Sequence, residues 1–408
     1  MEAPILSLTI LLAFATSTSI SAYYIPFVIN LAHNKKLVDL PDKSRKFHGR
    51  PVPTLGGIGI FIGAIISFSL WAGTNIPFFF PYLVAGSFLL FTVGINDDIF
   101  GINPKKKFLA QAITASAIVI GGNIRLHNLD GFLGISALPE GISIGVTILA
   151  FIIIINAYNL IDGVDGLAGT LALTGTLFFG LWFFVNGHIG ETILAASLAG
   201  ALIGFLYYNM SPAKIFMGDT GSLFTGLMIA VMAFRLIELN AVSTVISFQS
   251  PCGFALTLMI IPLFDLLRVF TIRVIKGRSP FMPDRNHIHH KFLEMGFGHL
   301  NICRSLAITN IVLIAITLPF SNLDIHLYLF NILGLTAMII PVAFALKRLQ
   351  GRLAIKLHPG LKREYNSHQT EKSKYQFHQS KFDRNLVSES KVVIQKLNQS
   401  KVTEKQTL

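Results

Sequence analysis

The chain has 408 residues, a length that would suit two or three soluble domains. Its composition excludes that class of protein, because charged residues make up only 13% of the chain and hydrophobic residues 52%. The formal net charge of +12 is uneven, since 14 of the 33 basic residues but only five of the 21 acidic residues lie in 347–408. This distribution differs from the basic face of a nucleic-acid-binding domain and indicates a membrane protein with a basic tail.

Uncharged segments, taken in chain order, predict about eleven transmembrane helices of roughly 20 residues each. The first, 3–32, lacks a basic start and is predicted to be a retained span, not a cleaved signal peptide. The run 51–96 holds two spans separated by a turn near Asn75 and Pro77. The other predicted spans are 108–124, 141–161, 167–186, 192–209, 222–238, 250–271, 303–320 and 325–346.

The predicted fold class is therefore an all-α polytopic membrane protein. We expect a transmembrane domain over 1–346 and a disordered, basic cytoplasmic tail over 347–408. An odd number of spans places the two termini on opposite sides of the membrane. Fifteen basic residues fall in one set of short loops, whereas the other set contains only Arg125. By the positive-inside rule, the N-terminus lies outside and the C-terminus is cytoplasmic.

Two adjacent carboxylates, Asp97 and Asp98, end the third predicted span, and three lysines follow at 105–107. Adjacent carboxylates repel each other, so they stay ionised only beside a cation, which can be a metal ion or a lysine. The alternative interpretation is an acidic pair solvated by water at the membrane surface. All the acidic clusters of 1–346 fall in loops predicted to be cytoplasmic.

A second polar motif follows a wholly apolar segment at 151–155. Asn156, Asn159, Asp162 and Asp165 recur at every third residue, a spacing that keeps neighbouring side chains close on a helix. Placing polar side chains at the end of a membrane-spanning apolar segment costs free energy, so we interpret these four residues as ligand-binding. The alternative is a polar helix cap.

The third motif, Phe216 to Ser222, opens the eighth span. Asp219 either caps that helix or binds a ligand, because a helix start favours both a capping side chain and an anion such as phosphate. Phe216 offers an aromatic face to a flat base.

Three histidines, His287, His289 and His290, lie close together in a basic loop with Arg285. Zinc is one interpretation, but the loop has no cysteine and few acids, so its composition favours phosphate binding. A plain solvated loop is the remaining alternative. The basic segment 39–57 is interpreted as a shaped loop or as an anchor for anionic lipid, and Asp265 with Arg268 as an i,i+3 ion pair.

These motifs project onto one membrane face and combine carboxylates with phosphate-binding cations. Proteins usually hold Mg²⁺ by one or two carboxylates together with substrate phosphates. The sequence therefore predicts phosphoryl transfer at the cytoplasmic surface, with one substrate from water and one from the lipid.

Four of these motifs, in this order, resemble those of the polyprenyl-phosphate N-acetylhexosamine-1-phosphate transferases over about residues 30–300. The resemblance implies transfer of an amino-sugar 1-phosphate from a UDP-sugar to undecaprenyl phosphate, with release of UMP, in a bacterial plasma membrane. His287-Ile-His289-His290 resembles the branch that starts O-antigen, common antigen or teichoic acid from UDP-N-acetylglucosamine. A homodimer is common in that family.

The resemblance also implies a role for each motif. Asp219 would hold Mg²⁺, or alternatively Mn²⁺, while Asp97 and Asp98 would lie by the lipid phosphate. The implied contacts to the UDP-sugar are Asn156, Asn159, Asp162, Asp165, Phe216, Arg285, His287, His289 and His290.

Three alternatives remain open from the sequence. One is the related phospho-N-acetylmuramoyl-pentapeptide transferase activity, although that branch carries three consecutive histidines. Another is a transporter or flippase of a lipid-linked sugar, which would place charge at mid-membrane and commonly shows internal repeats that this chain lacks. The third is an inactive scaffold that acts through its tail. A nucleic-acid partner is not expected.

Overall fold

The computed structural model describes residues 2–35, 37, 52–277, 279, 286–339, 341–343 and 345. Among these residues every regular element is helical, which confirms the predicted fold class. The helices are α1 Glu2–Asn34, α2 Gly57–Trp71, α3 Phe80–Phe100, α4 Pro104–Ser116, α5 Glu140–Ile161, α6 Leu167–Val185, α7 Ile189–Asn209, α8 Gly218–Asn240, α9 Pro251–Leu258, α10 Ile260–Ile275, α11 Ile288–Glu294, α12 His299–Thr317 and α13 Ile325–Ala337. The predicted tail and the 39–50 segment lie outside the described residues.

Each predicted span corresponds to a helix or a helix pair in the structure. Eight helices of the described part are long and apolar enough to cross a membrane, and a bent pair brings the number to nine. The 15-residue α2 is shorter than a full crossing. Helix α4 is extended only by a π-helical turn at Ala117–Gly121. The count of eleven and the orientation of the termini stay predictions.

The predicted span over 250–271 is not one straight helix, because this segment forms α9 and α10 with an angle of 86° between them. Pro262 lies in the first turn of α10. It has no N–H to donate to the carbonyl four residues earlier, and its ring clashes with that carbonyl in a continuous helix. The helix therefore stops at Leu258 and restarts at Ile260.

Helices α4 and α8 each begin four residues earlier than predicted, and both shifts bring charged residues into a helix. Helix α4 starts at Pro104, because the Asn103 side chain accepts the backbone N–H of Lys105 and a proline is favourable at the first position. The lysines at 105–107 therefore lie on the first turn of α4. Helix α8 starts at Gly218 and includes Asp219 in its first turn.

Helix α8 forms the centre of the bundle. Nearly all of its residues from Thr220 to Phe234 are buried, and it packs against α2, α3, α5, α6 and α9. This central position brings the first turn of α8 next to the ends of α3, α4 and α5.

Close packing at Gly94 holds α3 against α8. A Cβ atom at this position would lie 2.5 Å from the Cα of Thr220, well inside van der Waals contact with backbone. Gly94→Ala therefore forces the two helices apart, and we expect it to lower the free energy of unfolding by about 1–3 kcal/mol. Thermal unfolding of the detergent-solubilised protein measures this loss.

The matched control is Gly145→Ala on α5, where a Cβ meets no atom within 4 Å. Because alanine is the better helix former, this variant should be as stable as the wild type or slightly more stable. Equal destabilisation by both substitutions would contradict the role given to Gly94.

Candidate active site

Four helix ends converge at one side of the bundle, and together they bring three of the predicted motifs. The end of α3 carries Asp97 and Asp98, the first turn of α4 carries Lys107, the end of α5 carries Asn159, and the first turn of α8 carries Asp219. Antiparallel neighbours place these ends together, as the sequence interpretation expected. The structure thus joins three motifs that are separated by up to about 120 residues in the chain.

The ammonium group of Lys107 binds two carboxylates. Its Nζ lies 3.2 Å from Oδ2 of Asp97 and also contacts Oδ2 of Asp219. The three side chains are 16–22% exposed, so they are accessible but not fully solvated. A lysine of the 105–107 run therefore supplies the cation that the adjacent carboxylates were expected to need. Sequence reasoning did not single out Lys107; its position on the inward face of α4 decides which lysine does this.

The second oxygen of Asp219 is held from α5. Asn159 donates from Nδ2 to Oδ1 of Asp219 at 2.6 Å and to Oγ of Ser222 at 2.8 Å. One carboxylate oxygen thus faces a cation and the other faces an amide. This arrangement leaves Asp219 oriented toward the space between α3, α4 and α5.

Asp98 has a different environment from Asp97, although the two residues are adjacent. Its oxygens accept the backbone N–H groups of Asp219 at 2.8 Å and Thr220 at 3.0 Å, together with the Thr220 hydroxyl at 2.6 Å. Asp98 therefore caps α8 from another helix, because the first N–H groups of a helix have no partner within it. Gly218, at φ +68°, allows this approach, since a Cβ there would lie 2.7 Å from Oδ2 of Asp98.

The polar motif at the end of α5 is divided between the site and the protein framework. Asn156 pairs with Gln111 of α4, donating from Nδ2 to Oε1 at 2.7 Å. Gln111 is 1% exposed and was missed by sequence reasoning. The sequence feature that could have identified Gln111 is its position, one helical turn after Lys107 in an otherwise apolar stretch.

Asp162 and Asp165 are divided in the same way, one toward the site and the other toward the protein framework. Asp162 is half-buried, and burial, followed by the charges of Asp219 and Asp98, raises its pKa well above the ordinary value. Asp165 is 3% exposed, and its oxygens face the backbone N–H of Ala213 at 3.2 Å and Nδ1 of His299 at 3.1 Å. Asp165 therefore holds the loop before α8, whereas Asp162 places a carboxyl group with a raised pKa beside Asp219 and Asp98.

Phe216 lies in the loop that leads into α8, and its backbone is fixed. Its N–H donates to the carbonyl of Pro53 at 2.8 Å, and its own carbonyl accepts the N–H of Gly56 at 2.9 Å. The side chain is half-buried. This pairing ties the loop to the segment that enters α2.

The predicted histidines do not form one exposed group. His287 is 5% exposed and His289 is 2% exposed, whereas His290 is half-buried. The ring of His289 lies against Gly163, in the turn that follows Asp162. Burial lowers the pKa of His289 to about 3, so its ring is neutral near pH 7. Arg285 lies outside the described residues.

The predicted ion pair on α10 is confirmed, because Arg268 lies 3.0 Å from Asp265. Within the described residues, no group of three or more His, Cys, Asp or Glu side chains is arranged to hold a metal ion. The donor set at Asp97 and Asp219 is carboxylate oxygen, the ligand type of Mg²⁺ and Mn²⁺ rather than of zinc. A cation bound there would complete its coordination with substrate phosphates or water.

Comparison with known proteins gives a consistent result. Residues 80–237 match the family model described as glycosyl transferase family 4. The chain is 33% identical over 295 residues to the "probable undecaprenyl-phosphate N-acetylglucosaminyl 1-phosphate transferase" of Bacillus subtilis, covering 71% of this chain and 79% of that protein. It is 31% identical to the decaprenyl-phosphate N-acetylglucosaminephosphotransferase of Mycobacterium leprae, covering 70% and 77%. It is also 31% identical to the undecaprenyl-phosphate alpha-N-acetylglucosaminyl 1-phosphate transferase of Escherichia coli K12, covering 66% and 73%.

The contrast between the two adjacent aspartates can be measured as stability. Asp98→Ala removes three hydrogen bonds and leaves buried donors at the start of α8, so we expect it to lower the free energy of unfolding by about 1–3 kcal/mol. Asp97→Ala should cost less, because it removes only one backbone hydrogen bond, from the N–H of Ile102, and Lys107 keeps Asp219 as its partner. Thermal unfolding in detergent compares the two variants, and equal shifts would contradict the capping role of Asp98.

Proposed function

The chain belongs to glycosyl transferase family 4, and from this premise we propose that it transfers N-acetylglucosamine 1-phosphate from UDP-N-acetylglucosamine to undecaprenyl phosphate. The supporting observation is the group of Asp97, Lys107, Asn159 and Asp219 at one set of helix ends. A lysine and an amide suit the phosphates of both substrates, and the two carboxylates suit a divalent cation bound together with those phosphates.

In this reaction a phosphate oxygen of the lipid attacks the sugar-bearing phosphorus of the donor. A new P–O bond forms, the bond to the oxygen of UMP breaks, and UMP leaves with its electron pair. A lipid phosphate has a second pKa near 6 and is mostly ionised near pH 7, so a strong base is not required. The protein then has to orient the phosphates and offset their charge.

We place the reacting phosphates beside Asp97 and Asp219, the two carboxylates that share Lys107. Asp97 lies beside the position proposed for the lipid phosphate, and Lys107 offsets the charge of both substrates. Asp219 is the proposed ligand of Mg²⁺, with Mn²⁺ as the alternative, since its oxygen already faces a positive group. When bound there, the metal ion would neutralise charge developing on the leaving UMP.

Other predicted residues receive positioning roles in this proposal. Asp98 sets the start of α8, Asn156 sets α5 against α4, and Asp165 holds the loop before α8. Asp162 and Phe216 remain proposed contacts to the sugar and the uracil. His290 and Arg285 remain proposed contacts to phosphate.

The nature of both substrates is supported by the names of three relatives, which act on undecaprenyl or decaprenyl phosphate and N-acetylglucosamine. The motif His287-Ile-His289-His290 supports the same branch. A product of this kind would start a lipid-linked envelope glycan such as O-antigen or teichoic acid. The homodimer inferred from the family resemblance stays a prediction.

The reaction can be tested with the purified protein in detergent, undecaprenyl phosphate, Mg²⁺ and a panel of labelled UDP-sugars. We expect organic-extractable label and UMP to appear together, with N-acetylglucosamine as the best donor and with loss of activity on chelation. Asp219→Asn should lower the rate by about 10³-fold or more, because it removes the charge proposed to hold the metal.

The control variant is Glu191→Gln. Glu191 is a buried carboxylate in the first turn of α7, and it is paired with Arg235 of α8. This variant should retain the wild-type rate within a few-fold, because α7 begins at the end of the bundle opposite the site. A folded Asp219→Asn variant with a near-normal rate would contradict the metal assignment. A wild-type protein that transfers no sugar would contradict the proposed function.

We also propose that the site lies on the cytoplasmic face, on the basis of the charge difference between the two sets of loops. Single cysteines at Ile102, near Lys107, and at Gly187, in the opposite set, report this orientation. A membrane-impermeant thiol reagent added to whole spheroplasts should label the cysteine at 187 but not that at 102. The reverse pattern would place the site on the outer face.

A further inference from the structure

One buried carboxylate on α10 holds the loop that carries the histidines. Asp265 is 1% exposed, and its Oδ2 lies 2.9 Å from Nδ1 of His287. Its Oδ1 accepts the backbone N–H of Ile288 at 2.8 Å. Arg268 donates to the same Oδ1 at 3.0 Å and also to the carbonyl of Asn286. The two α10 side chains therefore fix the backbone on both sides of His287.

This contact determines which nitrogen of His287 is available. An ionised carboxylate can only accept a hydrogen bond, so Nδ1 of His287 carries the hydrogen. The other nitrogen, Nε2, lies at the opposite edge of the ring. His287 also stacks on His289, with ring centroids 5.7 Å apart and planes 7° apart. The ring is thus fixed in both tautomer and orientation.

The fixed ring lies near the acidic site. His289, on which the His287 ring stacks, contacts Gly163. The same turn contains Asp162, whose pKa is raised by burial and by the charges of Asp219 and Asp98. An ion pair with Arg268 alone would be a local contact within α10. Such an ion pair does not explain why Oδ2 of Asp265 binds His287, which lies 22 residues further along the chain.

We propose that Asp265 is a positioning residue for the transfer reaction: it fixes His287 with Nδ1 protonated, so that Nε2 faces the phosphates of the bound substrates. This inference rests on the proposed function. Asp265 does not itself contact substrate in this proposal and acts only through His287. Partners that orient a functional histidine in this way typically contribute 10- to 100-fold to activity.

The first test is a double-mutant cycle on kcat for sugar-phosphate transfer. Asp265→Asn keeps the shape of the side chain but removes the obligatory acceptor, and we expect about a 10- to 100-fold loss of kcat. His287→Gln should lose at least as much. If Asp265 acts through His287, the double variant should be no slower than His287→Gln within about three-fold, because the two losses are then not additive.

The control is again Glu191→Gln, a carboxylate that is 7% exposed and faces an arginine, as Asp265 does. It should leave kcat within a few-fold of the wild type. An active wild type combined with an unimpaired Asp265→Asn variant would overturn the inference and leave the proposed function standing. So would an equal loss from Asp265→Asn in both backgrounds. An inactive wild type would overturn the proposed function and this inference together.

A second test needs no variant at position 265 and therefore does not depend on its folding. The ¹⁵N spectrum of histidine-labelled wild-type protein should contain a His287 signal, assigned by its loss in His287→Gln. We expect this signal to show a protonated Nδ1. A neutral ring with the hydrogen on Nε2 would overturn the inference.

Discussion

The start of helix α8 is the point on which the candidate active site depends. The first N–H groups of any helix lack partners within it, and leaving them unpaired inside a membrane protein is costly. Asp98 of α3 supplies the partners from outside the helix. Because that carboxylate belongs to another span, it both completes α8 and sets its distance from α3. The position of Asp219, one residue into α8, follows from this contact.

A second constraint is charge. Asp97 and Asp219 contact the same lysine, and burial and the charge of Asp219 raise the pKa of Asp162, because carboxylates gathered in a partly buried space repel one another. Lys107 offsets part of this repulsion by contacting two of them. Its location depends on the Gln111–Asn156 amide pair one turn along α4, which sets that helix against α5. The candidate site at Asp97 and Asp219 is thus coupled to the packing of the helices.

Much of the fold could be predicted from the sequence, because a transmembrane helix is a local property of an uncharged run. The link between Asp97 and the lysine run could be predicted as well, since opposite charges near one helix end attract. The cap on α8 could not, because its partner lies 121 residues away and a helix start accepts any nearby oxygen. The break after Leu258 is caused locally by Pro262. The prediction missed it because spans were assigned from uncharged segments, and proline is uncharged.

The polar motifs contain carboxylates of two kinds, and only packing distinguishes them. Asp98, Asp165 and Asp265 each direct their oxygens to protein N–H groups or to a histidine ring. A carboxylate satisfied in this way maintains geometry and has little capacity left for a ligand. Asp97 and Asp219 each keep one N–H donor, from Ile102 and Asn159, but their other oxygens share a lysine. Lys107 can exchange one carboxylate for a phosphate, and the released carboxylate can bind a metal ion, so neither charge is left unpaired. Substrate or metal binding is therefore expected at the carboxylate oxygens that face Lys107, and a structural role at the carboxylates whose oxygens are all taken by protein N–H groups or a histidine ring.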